Sequence, residues 1–195
     1  MQQVQVGFST CGRPLDADVE VWNGPNNTPF KMRVYIENGR SQPFSTTIQT
    51  PRGPNTIAVR NIGHVEFPLT ASVDAECVFH PSHDCRTSLT TVQGGALRTY
   101  PFSPIVESVE LLITTDGGPM NARIELLQGP NHNKQVIELY AEDGCERPFH
   151  SVLETPGSGN VVRVLNTSPV EFPMTCSIVP HETSPPHDVG RRVGR

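Results

Sequence analysis

Long apolar runs are missing from this 195-residue chain. None approaches the ~20 consecutive apolar residues of a membrane-spanning helix, so no membrane insertion is expected. Aromatic residues are scarce, 6% of the chain with Trp22 the sole tryptophan. That weighs against a carbohydrate- or small-ligand-binding module, the main alternative for a small β-protein, which needs several exposed rings on one face. Charge is sparse too, 18% of residues with a net of −5. This is too little for a disordered chain and the wrong sign for a general nucleic-acid binder. No P-loop, GxGxxG or HExxH pattern occurs, and Gly157-Ser158-Gly159 lacks the spacing of a nucleophile elbow. The start, Met1-Gln2-Gln3-Val4, reads as neither signal nor transit peptide, so any such segment is expected to have been removed. What is plentiful is proline, 19 residues, beside 16 glycines. Proline at about twice its usual share of roughly 5% excludes a fold of long helices.

The chain contains a duplication. Shifted by 105 residues, 4–73 falls on 109–178 without a gap, with 25 of 70 pairs identical. Asn23-Gly24-Pro25-Asn26 meets Gln128-Gly129-Pro130-Asn131, and Val65-Glu66-Phe67-Pro68 meets Val170-Glu171-Phe172-Pro173. A repeat of this length is a small domain rather than a solenoid unit. The organisation it predicts is a first β-domain at 1–75, a linker at 76–105, a second β-domain at 106–180 and an extended tail at 181–195.

Apolar residues alternate in both copies. Met32, Val34 and Ile36 match Ile137, Leu139 and Ala141, while Phe44, Thr46 and Ile48 match Phe149, Ser151 and Leu153. Period-two spacing places one face on a core. Residues 134–142 alone could pass for helix, but their partner 29–37 is rich in aromatic and β-branched residues, so both are expected to be strands. Six strands per copy follow, near 4–10, 18–23, 31–37, 43–49, 55–61 and 65–74 and their counterparts. Asn38-Gly39 and Asp143-Gly144 suggest type I′ hairpins, and Pro68 and Pro173 suggest edge positions or bulges. The fold class is all-β, two homologous small antiparallel β-sandwich or half-barrel domains in tandem.

The duplication also filters chemistry. No His or Cys is kept in both copies, and Tyr35/Tyr140 is the one shared phenol, which makes these two tyrosines candidates for a common assembly surface. The run Cys77-Val78-Phe79-His80-Pro81-Ser82-His83-Asp84-Cys85 holds four potential zinc ligands, Cys77, His80, His83 and Cys85. Its spacing is tighter than in usual fingers, so free thiols or a Cys77–Cys85 disulfide are preferred and no metal or other cofactor is expected. Five cysteines, one at a core position, favour a reducing compartment. Charge is uneven: residues 1–75 are neutral, residues 106–180 carry −6, and the tail carries Arg191, Arg192 and Arg195 beside Val189 and Val193. Such asymmetry suits contacts between copies, with the tail residues as further assembly candidates. Strand edges suit addition of another chain.

The stretch 126–180 (LLQGPNHNKQVIELYAEDGCERPFHSVLETPGSGNVVRVLNTSPVEFPMTCSIVP) and VWNGPNNTPF at 21–30 resemble the pyrenoid shell proteins of diatoms and related algae, the PyShell family. The resemblance covers both repeats and is most specific from Gly129 to Pro180. It implies a structural, non-enzymatic protein that self-assembles into a single-layer sheet around the Rubisco matrix of the pyrenoid, within the carbon-concentrating mechanism. It places the protein in the plastid stroma at the pyrenoid periphery. Its partners would be further copies of itself, with Rubisco or other pyrenoid proteins alongside. It carries no catalytic residues to transfer.

Overall fold

Residues 2–64 and 67–185 are described by the computed structural model. In chain order the first repeat forms β1 (Gln3–Ser9), β2 (Leu15–Asn23), β3 (Phe30–Ile36), β4 (Phe44–Gln49), β5 (Asn55–Asn61) and β6 (Thr70–Asp74). A short helix α1 (His83–Thr87) and strands β7 (Thr90–Val92) and β8 (Leu97–Pro101) follow. The second repeat forms β9 (Val106–Thr114), β10 (Met120–Gln128), β11 (Asn133–Ala141), β12 (Phe149–Glu154), β13 (Asn160–Asn166) and β14 (Met174–Thr183). Strands β2, β4 and β5 reappear as β10, β12 and β13 residue for residue under the 105-residue shift. Residues 134–141 are strand, because Ile137, Leu139 and Ala141 alternate into the core.

The class is all-β and antiparallel, as the alternation implies. The two repeats, however, do not each close a sandwich of their own. One seven-stranded sheet runs β6-β1-β4-β12-β9-β14-β7 and the other runs β5-β2-β3-β11-β10-β13-β8. Each repeat supplies three strands to each sheet, and like meets like at the middle: β4 pairs with its counterpart β12, and β3 with its counterpart β11. Thr46 lies opposite Ser151 and Arg33 opposite Glu138, each the other's repeat equivalent. A pseudo-two-fold axis therefore passes through these two pairs, and one core cluster spans both halves. The seam is strong because β3 and β4 bury one face each and would otherwise expose open edges beside Phe44, Val34 and Ile36.

Four local expectations are corrected. Residues 76–105 are not a bare linker: β7 pairs with β14, β8 pairs with β13, and α1 lies against β9 and β14. The tail does not start at 181, since β14 continues to Thr183 with a bulge after Pro180, where β7 has already ended. Pro68 and Pro173 precede their strands instead of interrupting them. The Asn38-Gly39 and Asp143-Gly144 turns are not I′ hairpins, because they connect strands of opposite sheets and neither glycine has positive φ. Asn38 Oδ1 accepts from the backbone N–H of Arg40 and Ser41, and Asp143 Oδ1 from those of Cys145 and Glu146. The glycines are needed for space: a Cβ at Gly39 would lie 2.6 Å from Thr10 Oγ1, and one at Gly144 2.6 Å from Thr115 Oγ1.

Candidate functional site

The outer face of the sheet containing β1 and β9 is crossed by the segment leading into α1. Two of its anchors, Gln5 and Glu110, are repeat equivalents. On the first-repeat side, Gln5 Oε1 accepts from the Phe79 backbone N–H at 3.1 Å, and Thr47 Oγ1 donates to the Phe79 carbonyl at 2.8 Å. On the second-repeat side, Glu110, the counterpart of Gln5, accepts from the Ser82 backbone N–H at 2.7 Å and from the Ser82 hydroxyl. Ser82 is also the N-cap of α1, its side chain accepting from the Cys85 N–H at 3.1 Å.

Glu110 and His150 form a buried pair, 2% and 3% exposed, with His150 Nε2 2.9 Å from Glu110 Oε1. Burial pushes the carboxyl up, but the Ser82 and His150 hydrogen bonds outweigh it and hold Glu110 below the ordinary carboxylate range. Burial pushes His150 down, only partly offset by Glu110, so the ring is neutral and donates from Nε2. His150 Nδ1 has no side-chain hydrogen-bond partner among the described residues. The arrangement holds a crossing segment; in the first repeat the neutral pair Gln5 and Ser45 occupies the same place.

The four potential zinc ligands weighed in the sequence do not converge. Cys85 is buried with its thiol pushed up to about 11 by desolvation, Cys77 is exposed, and His80 lies beside Gln3 with Nδ1 3.2 Å from its amide nitrogen. Among the described residues no three His, Cys, Asp or Glu side chains form a metal-holding group. All five cysteines are free thiols, and Cys176 is pushed up to about 12 by burial.

The opposite outer face carries Tyr35 and Tyr140, both half-buried, on either side of the pseudo-axis. Tyr35 lies opposite Val136 and Tyr140 opposite Lys31. Charge pairs surround them: Arg33 Nε and Nη2 reach Asp16 at 3.1 and 3.0 Å, Arg123 Nε reaches Glu125 at 2.9 Å, and Arg123 also pairs with Glu138. A shallow trough of about 500 Å³ runs past Asp18, Glu20, Lys31, Arg123 and Tyr140. Exposed pairs of this kind contribute ~0–1 kcal/mol each, so they set which surfaces fit together more than how tightly. Val189, Arg191, Arg192, Val193 and Arg195 lie outside the described residues.

Sequence reasoning missed Glu110, Gln5 and Ser82. The signal that leads to the buried pair is the absence of any His kept in both copies: His150 stands where the first repeat has Ser45. Nothing in the residues around 82 announces that its hydroxyl meets a carboxylate 28 positions away.

No curated protein matches this chain. Among solved structures it is similar to the VP2 subviral particle of infectious bursal disease virus, at 10% identity and TM-score 0.18 over 93% of this chain and 61% of that one. The Gt strain of the same virus gives 11% identity and TM-score 0.14 over 93% and 60%. The chain thus spans about three fifths of these neighbours' length, at likenesses too low to carry an argument. A family model, by contrast, matches residues 1–180, both repeats and the crossing segment between them. The chain belongs to the diatom pyrenoid shell protein family.

Proposed function

We propose that this protein is a structural, non-enzymatic subunit that self-assembles into a single-layer sheet around the Rubisco matrix of the pyrenoid. In this reading it works in the plastid stroma at the pyrenoid periphery, and the layer serves the carbon-concentrating mechanism. The family match over residues 1–180 carries the proposal. The architecture agrees with it: a two-layer slab whose edge strands have no further strand beside them among the described residues, and whose outer face carries charge pairs, suits repeated contact between copies. The buried His–Glu pair spends its hydrogen bonds on internal structure, which fits a building block better than a catalyst.

Electron microscopy of the purified protein tests the proposal. Single-layer sheets or tubes are expected, and discrete monomers at every concentration would overturn it. The basic residues beyond Pro185 are proposed to contact the acidic second repeat of a neighbouring copy. Truncation after Pro185, which spares β14, is expected to leave the circular dichroism spectrum unchanged and to impair or alter the sheets. Indistinguishable assembly at all salt concentrations would remove the tail from the mechanism.

A further inference from the structure

Equivalent residues of the two repeats are buried unequally. Val162, Val164, Cys176 and Ile178 on β13 and β14 are all buried, the most exposed at 8%. Their counterparts on β5 and β6 are not: Ile57 and Val59 are half-buried, Ala71 is exposed, and Val73 is 54% exposed. Yet register puts these four on the core side of their sheets. Ile57 and Val59 lie opposite Val21 and Val19, and Ala71 and Val73 lie opposite Phe8 and Val6, all fully buried partners. The difference comes from what flanks the strands. In the second repeat β8 runs along β13 and β7 along β14, with Val92 buried there and Tyr100 packed on the core. Among the described residues nothing runs along the outer sides of β5 and β6. The first-repeat end is therefore a mouth between the sheets, apolar inside and rimmed by two rows of unpaired backbone groups.

We infer that this mouth is an interface with the same end of a second copy of the chain, β5 against β5 and β6 against β6, about a two-fold axis. The inference rests on the self-assembly reading and says which surface begins it. Three observations choose this occupant. The chain already joins like strands in this way at its own centre, β3 to β11 and β4 to β12, across a pseudo-two-fold. The other end presents poor edges, a three-residue β7 and a β8 closed by Pro101, which has no N–H to give. Its exposed Leu97 sits opposite Leu165 on the outer face of the sheet, away from the space between the sheets. Finally, residues 1–75 carry no net charge, so two first-repeat ends meet without net repulsion. Pairing extends both sheets and takes Ile57, Val59, Ala71 and Val73 out of water together.

Amide hydrogen exchange on the full chain, dilute and at associating concentrations, tests this without mutation. Exchange at 55–61 and 70–74 is expected to slow by about tenfold or more on association, with 90–101 unchanged. As a second readout, Ala58→Cys in a Cys11→Ser, Cys77→Ser, Cys145→Ser background should give covalent dimers with a short bismaleimide. Slowing at 55–61 together with 97–101, and no Ala58→Cys dimer, would mean head-to-tail addition and overturn the inference. Association without slowing at 55–61 would overturn it while leaving self-assembly standing. A chain that stays monomeric throughout would overturn both.

Discussion

At the residue scale, the buried Glu110–His150 pair makes stability depend on pH in a defined direction. The folded state holds His150 below its ordinary pKa of 6.5, so the unfolded chain takes up that proton first and stability is lost as pH falls below about 6.5. Glu110, lowered from 4.5, acts in the same sense at more acid pH. Urea midpoints at pH 7.5 and 5.5 should therefore differ, and His150→Gln should narrow that difference. Glu110→Ala leaves the Ser82 and His150 donors unmet and is expected to cost about 1–3 kcal/mol in urea unfolding at pH 7.5. The thiols offer a separate check. A thiol reagent should modify Cys11, Cys77 and Cys145 in the folded protein and reach Cys85 and Cys176 only after unfolding, since both are buried with strongly raised pKa values.

At the element scale, β7 and β8 decide how the two ends of the slab differ. The turn between them is fitted closely to the second repeat: a Cβ at Gly94 would lie 1.9 Å from the Pro169 carbonyl oxygen and 2.8 Å from that of Ser168. Backbone atoms on both sides cannot yield to a methyl group. Gly94→Ala is expected to unseat the β7–β8 segment, seen as faster amide exchange across 90–101 and at β13, with β1–β6 unchanged. If exchange at 90–101 stays as slow as in the parent, the seating of β7 and β8 does not depend on that close approach.

At the scale of the whole molecule, two sheets shared between repeats imply one folding unit. The seam buries Phe44, Thr46, Phe149 and Ser151 together, and neither half covers its own β3 and β4 edges. A buried side chain such as Phe44 or Phe149 stabilises by about 1.5–3 kcal/mol, so separating the halves forfeits the apolar burial along both β3–β11 and β4–β12. Calorimetry should show a single transition with equal van't Hoff and calorimetric enthalpies. Two resolved transitions would mean that the repeats unfold as separate domains.

Periodicity determined most strands of the two repeats and their inward faces, with the duplication needed to settle 134–142, because alternation is a local property: Met32-x-Val34-x-Ile36 states its face without reference to any partner. The duplication fixed their equivalence, and the resemblance named the family. Which strand lies beside which was decided only by tertiary structure. A strand's two edges carry the same backbone groups whatever the sequence, so nothing in β4 distinguishes pairing with β12 from closing a sandwich of its own. The same limit hid β7 and β8, too short for a pattern, and hid the joining of Ser82 to Glu110. Burial of that carboxylate arises from a segment crossing the sheet, and a crossing has no local signature in the residues it covers.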